Sequence, residues 1–287
     1  MSRPRALVTI MFVRNEADII AHAIDHHLAH AVDHMLVADN GSTDETLDIL
    51  RDYEKRGVLT LERDPSPHYP QAERMTRLLR RAQEEMGADA VICADADEFF
   101  VPSSGDLKDV FNRHWASVIR VRTRNLVPVD PDDADLPLHA RTFVAVARPR
   151  SDGAWIYRAS KPKVMVRPER VRAIDMGNHD AQVDPFTRRV SGRGVEVLHV
   201  PIRSYRQFER KVRIGAAALV ANPRYTPSIG SHWRRWLELY HAGHLRDEFE
   251  RLVIRTETER LAGIASGLVT DTVSMPWLTA VVPGDGR

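Results

Sequence analysis

Between residues 6 and 94 the chain alternates four short apolar runs with amphipathic stretches, and each run ends in polar residues. Such alternation leaves room for little besides a layered α/β fold. The runs are Ala6–Val13, His34–Ala38, Val58–Glu62 and Ala90–Ala94. After the first, Ile19, Ile20, Ala23, Ile24, His27 and Leu28 recur at helical spacing behind Asn15, which reads as the helix cap. Ser42 and Glu45 spell a capping box that opens a second helix, and a third is predicted over Gln71–Met86. Strands and helices in this order predict a mostly parallel, Rossmann-like sheet with helices on both faces. Parallel strands bring their C-terminal tips to one edge, where open α/β sheets bind ligands. Arg14-Asn15-Glu16, Asp39–Ser42, Arg63-Asp64 and Asp95–Glu98 all fall at such tips.

The fourth tip is the most informative. Asp95 and Asp97 are separated by one residue, and on a continuing strand they project to the same side; Glu98 follows directly, and Phe99 and Phe100 read as core beneath. Carboxylates this close repel unless protonated or neutralised by a cation. Hard oxygen ligands suit Mg2+ or Mn2+, which keep positions open for substrate phosphates. A solvated acidic turn is the competing reading, and the convergence of four polar tips weighs against it.

Past residue 100 the pattern loosens. Val118–Val121, Lys163–Val166 and Val195–Val200 read as strands, with helices over Arg203–Val220, Trp233–Tyr240 and Asp247–Ala265. The stretch Asn125–Pro137, with Asp130, Asp132, Asp133 and Asp135, reads as an irregular excursion, and Pro65–Pro70 as a lid or a rigid loop. Trp155, Tyr157, Trp233 and Trp236 are candidates for an aromatic stacking platform. No apolar run approaches the ~18 residues of a membrane span, and no signal-peptide core is visible. The lone Cys93 sits in a strand, which fits a reducing cytoplasm. Net charge is +1, so nothing favours a nucleic acid partner. Arginine makes up 36 of the 41 basic residues, an excess too broad to read as function.

Six segments, in order, resemble the GT-A glycosyltransferases, in particular a family-2-like group with an Asp-x-Asp-Glu-Phe signature that is similar to family 92. They are residues 13–16 (Val-Arg-Asn-Glu), 37–44 (Val-Ala-Asp-Asn-Gly-Ser-Thr-Asp), 95–99 (Asp-Ala-Asp-Glu-Phe), 160–168, 177–179 (Gly-Asn-His) and 199–211. The resemblance implies a GT-A domain over residues 1–225, with a nucleotide-binding half at 1–100 and an acceptor half at 101–225, and a helical extension at 226–287. It implies transfer of a sugar from a nucleotide-sugar donor, a UDP-sugar favoured, to a hydroxyl of a glycan or small-molecule acceptor, with inversion and with Mn2+ or Mg2+. The donor site implied is Asn15, Glu16, Asp39, Asn40, Asp95, Glu98 and Lys163. Asn40 stands where the family has a second Asp, which makes the preference for uracil less secure. The implied metal shell is Asp95 and Asp97 with His199 or His179. Arg167, Arg203, Lys211, Arg74 and Arg77 are further candidates to neutralise diphosphate. Inversion requires a carboxylate base, for which Asp180 ranks ahead of Asp152 and Asp184.

Four rivals differ in what they leave unexplained. A sugar-nucleotidyltransferase shares the architecture but would carry a long Gly-rich first loop to grip a triphosphate, which this chain lacks. A dinucleotide-dependent oxidoreductase would carry a Gly-x-Gly-x-x-Gly turn after the first strand, where this chain has Arg14-Asn15-Glu16. A phosphatase with an Asp nucleophile accounts for Asp95 and Asp97 but not for the other tips. A nucleotide-sugar-binding protein without transfer activity differs only in its chemistry.

Overall fold

The computed structural model describes residues 3–65, 71–131, 138–221 and 230–273. Residues 66–70 of the Pro-rich loop, and Asp132, Asp133 and Asp135 of the acidic excursion, lie outside them. In chain order the elements begin β1 (Leu7–Val13), α1 (Ile20–Ala29), β2 (His34–Asp39), α2 (Thr46–Lys55), β3 (Leu59–Arg63), α3 (Gln71–Met86) and β4 (Ala90–Ala94). Next come β5 (Glu98–Pro102), α4 (Leu107–Arg113), β6 (Val118–Val121), β7 (Thr123–Val129) and β8 (Thr142–Val146). They are followed by β9 (Lys163–Val166), β10 (Val171–Ile174), β11 (Ala181–Val183), β12 (Arg189–Ser191) and β13 (Val195–His199). Helices α5 (Tyr205–Lys211), α6 (Ala217–Ala221), α7 (Ser231–His241), α8 (Leu245–Glu250) and α9 (Glu257–Ala265) precede β14 (Val269–Thr272).

Two compact units share the chain, one built from the residues up to Thr123 with Ser160–His199, the other from Arg124–Ala159 with the residues after His199. The first holds a seven-stranded sheet in the order β12-β6-β9-β4-β1-β2-β3. Strands β4, β1, β2 and β3 run parallel, whereas β9 is antiparallel to both neighbours, so the sheet is mixed, with most of its pairings parallel. Alternation along β1 decides its packing. Val8 and Ile10 join Met75, Leu78, Leu79 and Ala82 of α3 in one dry cluster. Burying each such side chain contributes about 1.5–3 kcal/mol.

Strand β5 leaves this sheet and pairs antiparallel with β13, in a register that sets His199 opposite Glu98. The second unit pairs β7 with β8 and β8 with β14, and its core gathers Phe208, Trp236 and Phe249.

Two predicted helices are interrupted. Over Arg203–Val220, a π turn at Val212–Ala216 separates α5 from α6. Over Asp247–Ala265, Ile254 leaves the helix to bridge Val129, its amide donating to the Pro128 carbonyl. Branched Val253 and Ile254 favour that extended excursion, and Thr256 with Glu259 then opens α9 with a reciprocal capping box.

Candidate active site

The tips of β1, β2 and β3 are stitched together by the polar residues that follow them. Asn15 does not cap α1, which begins five residues later at Ile20. It adopts a left-handed backbone (φ 56°), which asparagine tolerates better than most residues, and its Oδ1 accepts from Thr43 N–H at 2.7 Å. Its own N–H donates to Ser42 Oγ at 3.0 Å. Ser42 is thereby spent on the β1 tip, and no capping box forms; Asp44 Oδ1 accepts from Thr46 N–H at 3.1 Å instead. Asp39 is buried and turns the chain by accepting from Gly41 and Ser42 N–H. Gly41 there has φ 69°, a conformation glycine adopts without strain. Asn40 Nδ2 donates to the Asp64 carbonyl at 2.7 Å, which fixes how its amide faces. Glu16 is half-buried at the same edge, its N–H donating to Thr46 Oγ1 at 2.8 Å. Arg74 and Arg77 are tied to Asp64 at 3.3 and 3.0 Å, and Arg74 also stacks on Phe12.

At the β4 tip the strand does not run on through the acidic residues. Glu98 N–H donates to the Asp95 carbonyl at 3.1 Å, closing a turn between β4 and β5. The alternation expected of a strand is lost there, and the two aspartates part company. Asp95 Oδ2 accepts from Lys163 Nζ at 2.7 Å, and its Oδ1 faces Asn178 Nδ2 at 3.3 Å and Gln71 Nε2 at 3.4 Å. Asp97 turns toward His199, with Oδ1 3.6 Å from Nε2. Glu98 stands between the two groups. Its Oε1 lies 2.6 Å from Lys163 Nζ, and its Oε2 accepts from Asp95 N–H at 3.1 Å.

Burial pushes the Glu98 carboxyl up from the usual carboxylate range, against the pull of the Lys163 charge. Lys163 is equally buried; desolvation alone would lower its pKa, but Asp95 and Glu98 reverse that and hold the ammonium charged. The lysine, expected at a diphosphate, thus sits as a cation between two carboxylates.

One group of Asp97, Glu98 and His199 places ligand atoms within 4.8 Å of one another. An oxygen–oxygen–nitrogen set suits Mn2+ or Mg2+, and the 3.6 Å separation of Asp97 and His199 suits adjacent positions on one ion. Glu98 is engaged by Lys163 and by Asp95 N–H, and Asp97 and His199 face each other directly beside it. Asp95 and His179 do not join that group. His179 Nδ1–H donates to the Pro162 carbonyl at 3.0 Å, and burial, reinforced by the Lys163 charge, lowers its pKa to about 4.

The three candidate bases each meet an arginine. Partial burial would raise the Asp180 carboxyl, but hydrogen bonds from Arg120 and from Ala181 N–H outweigh it and hold the group below the usual carboxylate range. Asp184 is half-buried and pairs with Arg172 at 2.7 Å, and Asp152, in the second unit, pairs with Arg150 at 3.1 Å. Arg167 is buried against Phe111, whereas Arg203 and Lys211 belong to the second unit. Trp155, Trp233 and Trp236 form an aromatic cluster in the second unit's core, with Tyr157 packed beside it.

Gln71 and Asn178 escaped the reading of the sequence. In the Gly-Asn-His segment the histidine is the stronger ligand type, and Gln71 is, by sequence, an ordinary first helical residue. Asn178 is fully buried with φ 58°, and its Oδ1 has no hydrogen-bond partner among the described residues.

A family model described as glycosyltransferase family 92 matches residues 7–238. No curated protein matches the sequence. Among solved structures, S. aureus TarS 1-349 is similar at 14% identity and a TM-score of 0.43, over 91% of this chain and 74% of that one. The same protein in complex with UDP-GlcNAc gives 14% and 0.44, over 91% and 75%. Glucosyl-3-phosphoglycerate synthase from Mycobacterium tuberculosis, with Mn2+, UDP and glucosyl-3-phosphoglycerate, gives 19% and 0.31, over 42% and 44%.

Proposed function

The chain belongs to glycosyltransferase family 92, and from that membership we propose that it moves a sugar from a nucleotide-sugar donor to an acceptor hydroxyl, aided by a divalent cation at Asp97 and His199. The observation that carries the metal reading is the approach of those two side chains, His199 from the end of β13 and Asp97 from the turn that leads into β5. When bound, a dication there supplies Lewis-acid neutralisation of the leaving diphosphate.

The chain's own residues do the rest. Asn15, Glu16, Asp39 and Asn40 shape the nucleoside end of the edge, their backbone locked by the mutual hydrogen bonds of the tips. A UDP-sugar is the donor we favour, with the oriented Asn40 amide as acceptor for the uracil imide. Asp95, held by Lys163, Asn178 and Gln71, presents a carboxylate to ribose or sugar hydroxyls, and Lys163, charged between Asp95 and Glu98, fixes that carboxylate in place. We assign inversion, by direct attack of the acceptor hydroxyl, with Asp180 as its base; that role requires release from Arg120 when acceptor binds.

Hydrolysis of UDP-sugars, followed as UDP release, tests the metal reading. Turnover should need Mn2+, stop in EDTA, and vanish in Asp97→Ala and His199→Ala. Equal turnover in EDTA or in Asp97→Ala removes the metal from the reaction.

A further inference from the structure

The second unit contains a cavity of about 410 Å³ lined by Arg206, Glu209, Arg210, Arg213 and Tyr240. Its volume lies within the range of small-molecule sites. Arg206 and Arg210 are one turn apart on α5, Arg213 follows in the π turn, and α7 supplies Tyr240. Turns of this kind occur often at functional positions.

An arginine-rich chain has many solvated guanidiniums, so the pairing of these is what matters. Several helical arginines are matched with acid, as in Arg51 with Asp48, Arg81 with Glu85, Arg235 with Glu248 and Arg260 with Glu257. Arg206 and Arg213 have no ion-pair or hydrogen-bond partner among the described residues, and neither does the Tyr240 hydroxyl. The one acid of the lining, Glu209, accepts from Tyr205 O–H at 3.1 Å. The lining thus holds two unpartnered guanidiniums, Arg206 and Arg213, and one carboxylate that is already hydrogen-bonded. Planar guanidinium forks match tetrahedral oxyanions, and a phenol adds a directed donor.

We propose that this cavity binds a phosphate-bearing ligand, a role separate from the cation site at Asp97 and His199. Calorimetric titration of the whole protein with inorganic pyrophosphate, in EDTA, tests it; vesicles of phosphatidylcholine with and without phosphatidic acid form a second arm. Wild type should bind, and the Arg206→Gln/Arg213→Gln double variant should bind at least about tenfold more weakly with its circular dichroism and melting unchanged. Glu209→Gln, which removes the opposing charge, should bind more tightly. Added salt should weaken the interaction, and Asp97→Asn should leave it intact. Binding of pyrophosphate identifies a soluble ligand. Binding confined to phosphatidic acid vesicles, and lost in the double variant, identifies a lipid headgroup. Absence of wild-type binding in both arms, equal binding by the double variant, or loss in Asp97→Asn would overturn the proposal.

Discussion

Asn178 shows how a single residue reveals its work by what it gives up. A buried amide oxygen without a partner costs roughly 1–3 kcal/mol, and the left-handed backbone adds strain, yet the residue keeps its Nδ2 on Asp95 at 3.3 Å. The substitutions Gly and Ala separate backbone from side chain, because glycine accepts φ 58° freely and alanine does not. Asn178→Gly should melt within a few degrees of wild type while donor KM rises about 5–30-fold, the loss of roughly 1–2 kcal/mol. Asn178→Ala should add a stability loss of about 1 kcal/mol to the same KM effect. An unchanged KM in both variants assigns Asn178 to folding alone. Asp180 offers a contrast, since its carboxyl is held below the usual range and must leave Arg120 to accept a proton. If it is the base, Asp180→Asn should lower kcat by about 10²–10⁴ with donor KM unchanged; a full-strength kcat excludes it.

At the scale of elements, what could be read in advance was whatever local pattern determines. Helix α3 and strands β4, β6 and β9 fall where apolar spacing puts them, because each buries a face that its own sequence marks. The roles of Asn15 and Ser42 were invisible for the opposite reason: each has local capping chemistry, but across the tips they bond to each other. His199 was legible only as one of two histidines, since its pairing to β5 joins residues about a hundred positions apart and no local signal encodes that register. Helix α1 yields a further consequence. Its His26 and His27 are buried, their rings 5.3 Å from Phe99 and 6.1 Å from Phe100 respectively. Burial, with the charges of neighbouring histidines, lowers His26 to about 2 and His27 to about 4. The unfolded chain takes up these protons near pH 6.5 and the folded chain does not, so stability falls as pH drops below that value. Between pH 7 and pH 5 each histidine should remove about 2 kcal/mol. His179 and His232, lowered to about 4 by burial, contribute in the same sense. The urea midpoint should therefore fall across that interval, and His27→Leu should flatten the histidine part of the fall by about a quarter; an identical slope in the variant would show that His27 does not carry it.

For the molecule as a whole, the useful fact is that chemistry and reporters are segregated. The acidic group, Lys163 and the stitched tips all lie in the first unit, whereas Trp155, Trp233 and Trp236 lie in the second. The first unit's Trp115 is 64% exposed and so responds weakly to unfolding. Among the described residues, tryptophan therefore reports mainly on the unit without the proposed donor site, and calorimetry is the proper observable for donor binding. A nucleotide-sugar at about 100 times its dissociation constant adds about 2.7 kcal/mol, which for a chain of this size corresponds to an upward shift of about 5–10 °C. The shift should appear with Mn2+ and a UDP-sugar, shrink when the cation is withheld, and be absent in Asp97→Ala. GDP-, CMP- and dTDP-sugars, tested alongside, rank the base that the Asp39–Asn40 tip accepts. If none of the four nucleotides moves the calorimetric transition in the presence of Mn2+, the parallel-strand edge of the first unit does not bind an activated sugar, and family membership describes this chain's ancestry rather than its chemistry.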